Sequence, residues 1–157
     1  MSGLRRLGPD GPSPHLTWRE LACHDAARTP YPPKWRIKRA RVLASAFEDI
    51  RDHWGVPIPI LSAYRTKEYN EMLRRQAWWQ GLPAPARYSK HMDGLALGLG
   101  RPRGVTLREL HDGALEEAKK PGSAIRGVGK YLWGVHIDIR DSLRLAVWTG
   151  KRLQAES

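Results

Sequence analysis

A single cysteine, Cys23, leaves this chain of 157 residues without an internal disulfide and without a cysteine-rich zinc cluster. Its expected role is that of a small buried apolar residue. No apolar run approaches the roughly 18 residues that a membrane-spanning helix requires. The opening MSGLRRLGPDGPSP carries arginines but no apolar stretch behind them, so it does not read as a secretory signal. Acidic side chains are scarce: 16 Asp and Glu stand against 27 Lys and Arg, a formal charge of +11. That shortage favours polyanionic partners such as nucleic acid, anionic lipid or acidic wall polymers. The bases are dispersed, as in Arg36, Lys38, Arg39 and Arg41 or Arg74 and Arg75. Diffuse polyanion attraction is therefore expected ahead of specific nucleic-acid binding. Phenylalanine is nearly missing, with one copy against seven tryptophans, and most of those indoles are expected in the core.

What is present fits one soluble globular domain. Hydrophobic residues make up 41% and charged residues 27%, close to globular averages, and the length suits a single core. Residues 1–15, rich in Gly, Pro and Ser, are expected to form a flexible arm ahead of a domain over 16–157. Thr17-Trp-Arg-Glu20 has the spacing of a capping box and predicts a short helix. Thr29-Pro-Tyr-Pro-Pro33 reads as a stiff turn. Leu43, Phe47, Ile50 and Trp54 fall on one helix face, with Gly55 as the stop. Val56–Leu61 reads as a strand that Pro57 and Pro59 place at an edge or leave irregular.

Thr66 opens a second helix to about Gln80, Gly81 ends it, and Leu82–Ser89 is a loop. His91–Leu99 leads into a central strand. Thr106-Leu-Arg-Glu109 is another capping box, heading a helix that Pro121-Gly122 terminates near Lys120. Tyr131–Ile139 supplies one or two strands and Ala146–Trp148 a last one. Helices that precede and interrupt a small sheet predict the α+β class.

Three segments carry chemistry. Ser62-Ala-Tyr-Arg65-Thr66 stands where a strand hands over to a helix, a place from which an arginine fork can meet a carboxylate or carbonyl. Ser89-Lys-His91-Met-Asp-Gly94-Leu-Ala96-Leu-Gly98 is the second. The third is Gly127-Val-Gly129-Lys-Tyr131 with Val135-His136-Ile-Asp138-Ile-Arg140. Residues two apart in a strand share a face, so His136, Asp138 and Arg140 are expected on one side and Val135, Ile137 and Ile139 on the other. A plain salt bridge between Asp138 and Arg140 would account for part of that arrangement.

In this order, the segments resemble the zinc D-Ala-D-Ala carboxypeptidases and L-alanyl-D-glutamate endopeptidases that act on bacterial cell walls, in particular their short bacterial and phage branch. The resemblance runs from about Leu16 to Arg140. It implies a small antiparallel sheet with flanking helices and a zinc-dependent peptide hydrolase acting on peptidoglycan stem peptides. By that resemblance His91 and His136 are zinc ligands. Arg65 holds the substrate's carbonyl or carboxylate, and Ser89 contacts substrate or supports a ligand. Without a secretory signal, such a protein is expected in the cytoplasm or released to the wall by phage.

The pattern breaks at one place. The family motif runs S-x-H-x-x-G-x-A-x-D and its aspartate is the third zinc ligand; this chain has Gly98 there. Zinc catalysis needs three protein ligands and an open position for water. The acid that some relatives carry three residues before the last histidine is Trp133 here, which leaves Asp138 as the nearby carboxylate, either as base or to orient His136. Asp93 is a candidate substitute ligand, with a solvated turn carboxylate as its plainer role. The expectations are thus a peptidase-like protein with impaired or lost zinc binding, or an inactive basic binding or scaffold protein for wall polymer or nucleic acid. His15 and His24 are expected to face solvent and His53 to suit a helix C-terminus, while His111, on the last capping-box helix, is only a remote candidate for the site. Of Trp78 and Trp79, adjacent on a helix and so facing different ways, at most one is expected to wall the cleft.

Overall fold

The computed structural model describes residues 9–150. In chain order its elements are α1 (Trp18–Leu21), a 3-10 turn (Pro33–Trp35), α2 (Arg39–Trp54), β1 (Ile60–Ser62) and α3 (Lys67–Trp79), then a second 3-10 turn (Lys90–Asp93) and β2 (Ala96–Leu99). They continue with α4 (Leu107–Lys119), β3 (Gly127–Tyr131), β4 (Gly134–Asp138) and β5 (Ala146–Thr149). The class is α+β, as predicted.

Local chemistry sets the helix ends. Thr17 and Thr106 both form full capping boxes, with Glu20 and Glu109 reaching back to the cap backbone. Thr66 caps α3 by accepting from the Tyr69 N–H. Gly55, at φ +67°, takes the left-handed position that ends α2 and returns its N–H to Arg51. The buried stripe of α2, Ala40, Leu43, Ala44, Phe47 and Ile50, repeats at helical spacing. Phe47 is 1% exposed, and its truncation to alanine would cost about 3–5 kcal/mol.

The sheet order is β1-β2-β4-β3-β5. β1 with β2, β2 with β4 and β4 with β3 pair antiparallel, while β5 runs parallel to β3. The sheet is therefore mixed rather than purely antiparallel. β4 ends at Asp138 opposite Gly127, where β3 begins, so residues 139–145 pass the start of β3 and β5 then follows it in the same direction. Leu97 and Leu99 of β2, Val128 of β3 and Val135 and Ile137 of β4 face the core, where α4 packs on β3 and β4 and α2 packs on α4. Position β1 at the sheet edge suits the prolines before it.

Two expectations about packing change. Within the segment read as a flexible arm, Gly11, Pro12 and Ser13 are buried. Ser13 Oγ donates to Glu48 Oε2 at 2.7 Å and the His15 N–H to the same oxygen at 2.8 Å, while His15 Nδ1 lies 2.7 Å from Oε1. A buried carboxylate needs such donors, and the turn-forming residues supply them. The tryptophans also differ: none of the seven is buried. Trp18, Trp35 and Trp54 pack half-buried against the core, whereas Trp78 and Trp79 are 72% and 78% exposed.

Candidate functional site

The face of the sheet away from the helices is built from a row of paired residues. Ser62 of β1 pairs with Gly98 of β2, Gly98 with His136 of β4, His136 with Gly129 of β3, and Gly129 with Trp148 of β5. His136 thus projects between two glycines. Strand alternation puts it there, because Val135 and Ile137 turn to the core.

His91 reaches the same place from the 3-10 turn. Ser89 caps that turn by accepting from the His91 N–H at 3.2 Å, Gly94 ends it at φ +68°, and Tyr31 Oη donates to the Gly94 carbonyl at 2.8 Å. The rings of His91 and His136 lie 5.2 Å apart, centroid to centroid. Distant segments of the chain therefore converge on one spot.

Hydrogen bonds fix both rings. His91 Nδ1 is 2.7 Å from the Ala63 carbonyl, which can only accept, so Nδ1 carries the proton and Nε2 keeps its lone pair. His136 Nε2 is 2.8 Å from Asp138 Oδ2, an acceptor, so Nε2 carries a proton and Nδ1 is the nitrogen turned away from the carboxylate. Asp138 also receives two bonds from the Arg140 guanidinium, at 2.9 and 2.7 Å. Burial alone would raise the Asp138 pKa, but the bonds from Arg140 and His136 outweigh it and hold the carboxyl well below its usual range. Burial, then the charges of Arg65 and His136, push His91 well below its usual value, so it is neutral at pH 7.

These rings line a cleft of about 470 Å³, together with Arg65, Ser89, Lys90, Tyr131, Trp133 and Trp148. Arg65 donates to Asn70 Oδ1 at 3.2 Å and Ser62 Oγ at 3.1 Å. Its Nε is buried without a partner, and among the described residues no carboxylate pairs with it. Burial works against its charge and lowers its pKa. The wall opposite is the 82–88 loop, pinned to α3 by Arg74 Nη1 on the Pro85 carbonyl at 2.7 Å and Asn70 Nδ2 on that of Ala86 at 3.0 Å. Trp78 and Trp79, at the exposed end of α3, are not among the residues lining the cleft, so neither walls it.

The residues present do not make a catalytic zinc site. Two imidazole nitrogens are available, but position 98, directly across from His136, has no side chain. The space above it is tight: a Cβ built there would lie 3.2 Å from Trp133 Cζ3 and 3.3 Å from Cη2. Among the described residues no three His, Cys, Asp or Glu side chains gather to hold a metal. Asp93 is exposed, outside the residues lining the cleft, and offers its backbone carbonyl to Arg39 at 2.7 Å. It therefore does not fill the gap.

Arg65, Ser89, His91 and His136 all line the cleft, with Asp138 immediately behind His136. Sequence reasoning missed Tyr131 and Trp148. Tyr131 carried a signal, since alternation along β3 puts it on the same face as Gly129; Trp148 carried none, because its place depends on the parallel pairing of β5. His53 and His111 lie elsewhere, His53 with Nδ1 2.8 Å from Glu117 Oε2.

Comparison with known proteins gives one match. A family model described as Peptidase M15 matches residues 14–138, well over half of the chain. No curated protein and no solved structure matches.

Proposed function

The chain belongs to the peptidase M15 family, and from that premise we propose that it binds peptidoglycan stem peptides in the His91–His136 cleft, with zinc-dependent hydrolysis impaired or lost. The carrying observation is the glycine at position 98 opposite His136 with an indole lying over it. A catalytic zinc needs three protein ligands besides its water, and two imidazoles fall one short.

The rest of the cleft suits a peptide carboxylate or carbonyl. Arg65 presents a half-buried guanidinium with no acid to neutralise it, and Lys90 adds a second positive charge at the rim. Planar guanidinium forks match carboxylates well. Asp138, already paired with Arg140, acts through His136 by fixing which ring nitrogen is free. It is a positioning residue in this reading, not a base.

Calorimetry with a synthetic stem peptide, with zinc alone, and digestion of purified peptidoglycan test the reading together. The expected result is peptide binding that Arg65→Ala weakens about tenfold or more, as loss of a charge-assisted contact should, without stoichiometric zinc uptake at micromolar metal. Stoichiometric zinc with wall cleavage would refute it. The charge of +11 supports an alternative, a basic scaffold for nucleic acid. That partner would show binding falling steeply with salt, and a flat salt response with DNA excludes it.

A further inference from the structure

We propose that Trp133 bars a third metal donor from position 98, so that the cleft departs from a metal site by a two-residue exchange rather than by the loss of one carboxylate. The inference deepens the metal-poor reading above and rests on it.

Position 98 is where the motif of the resembled family carries its third donor, and the strand register puts that position beside His136. Gly98 and His136 are register partners on adjacent antiparallel strands, and side chains so paired stand about 4.5–5.5 Å apart at Cβ. No other residue of β2 shares that level and that face. The space above Gly98 is nevertheless filled by the six-membered edge of the Trp133 indole, at 3.2–3.3 Å from the missing Cβ. The Ser62 Cβ closes the other side at 3.3 Å. An aspartate adds three further heavy atoms beyond Cβ, in a space where the indole edge and the Ser62 Cβ already stand within tight contact of the Cβ itself.

The indole is held rather than loose. Trp133 sits in the two-residue loop between β3 and β4, next to Gly134, and stacks on Tyr131 with centroids 5.0 Å apart and planes 8° off parallel. Tyr131 in turn accepts from Trp148 Nε1 at 2.6 Å. Trp148 lies over Gly129, where an added Cβ would meet its ring at 2.5 Å. Both glycines flanking His136 are thus covered by indoles that brace one another through Tyr131. The outer side of Trp133 borders a second, open basin with Arg101 and Arg103, and the residue is 42% exposed. Shortening it opens the position to solvent without leaving a sealed void.

The test compares the parent with Gly98→Asp, Trp133→Ala and the double variant, titrated with Zn2+ by calorimetry and with Co2+ by visible absorption, folding being checked by circular dichroism. A donor bound directly to the metal should be worth more than the roughly 10–100-fold typical of supporting residues. The double variant is therefore expected to bind at least ~100-fold tighter than either single variant. Loading by Gly98→Asp alone, as tight as the double, overturns this proposal and leaves the metal-poor reading standing. A folded double variant no tighter than the parent also overturns it. Stoichiometric loading by the parent overturns that reading and this proposal with it. A metal-free cycle guards against misfolding of Gly98→Asp: Gly98→Ala should lower stability in the parent and much less in Trp133→Ala. Additive effects there overturn the steric claim.

Discussion

Replacing Asp138 with asparagine removes one charge at the point where the cleft is anchored to the sheet. The side chain of Asp138 is 0% exposed, that of His136 11% and that of Arg140 27%. Asparagine keeps the shape, but its amide nitrogen then faces a donor from either His136 or Arg140, so one bond becomes a repulsive contact. Breaking a buried pair by removing one partner costs about 3–5 kcal/mol. Arg140 keeps some access to water, which puts the expected loss near the lower end, about 3 kcal/mol. At roughly 2–4 °C per kcal/mol for a chain of this size, the melting temperature should fall by about 6–12 °C at pH 7. The pH dependence gives a second check. The folded Asp138 carboxyl lies well below its usual range, so its contribution is present above the unfolded value of about 3.9 and is lost as pH falls toward the folded value. The gap between parent and variant should therefore be constant from about pH 5 to 7 and narrow by about 1 kcal/mol by pH 3. Glu48 shifts in the same direction, but it is present in both proteins and cancels. Thermal melts at these pH values decide the matter. A variant within about 2 °C of the parent at pH 7, or a gap as wide at pH 3, would refute the reasoning.

Other perturbations reach different links. Glu48→Gln should free the segment around Ser13 and His15 from α2. Hydrogen exchange at the Trp18 amide, which donates to the Asp10 carbonyl at 2.7 Å, should quicken at least ~10-fold, as expected when an opening costs over a kcal/mol less; unchanged exchange would contradict the docking. Tyr31→Phe removes a buried donor from the Gly94 carbonyl and should cost about 1–2 kcal/mol in denaturant melts. Because that turn holds His91, the His91 ring resonances should shift in NMR spectra as well. Gly129→Ala drives a Cβ into the Trp148 ring, and overpacking of this kind costs about 1–3 kcal/mol. Tryptophan emission should move to longer wavelength as the Trp148–Tyr131 bond opens, and an unshifted spectrum would count against the brace.

Elements with local causes were legible in the sequence. The Thr17–Glu20 and Thr106–Glu109 boxes and the α2 stripe are read from neighbouring residues, and they fold as read. β3 was harder: its Gly127 and Gly129 weaken any strand signal, and they belong in a strand only because Asp138 and Trp148 occupy the space above them. The N-terminal Gly, Pro and Ser residues look like loop chemistry, yet Ser13 is needed to satisfy Glu48. The same division holds in the site. Period-two alternation is enough to group His136 with Asp138 and Arg140. Trp133 is marked only by its place three residues before His136, and its contact with Gly98 needs the β2–β4 pairing; Trp148 reaches the cleft through the β3–β5 pairing, and no local pattern announces it.

The hydrogen bonds behind the two histidines survive in a cleft that lacks a third donor, and their survival says little about catalysis. Each buried ring N–H must find an acceptor whether or not a metal sits on the other nitrogen, because an unpaired buried donor costs about 1–3 kcal/mol. Ala63 and Asp138 therefore contribute stability in their own right, and Asp138 also neutralises Arg140. A change at position 98 touches none of these bonds, since Gly98 donates no side chain to the network. On the proposed reading, the support of a metal site would persist on folding grounds alone once a metal ligand is lost, and what lies over Gly98, an indole, would then set the chemistry of the cleft more than the imidazoles beside it.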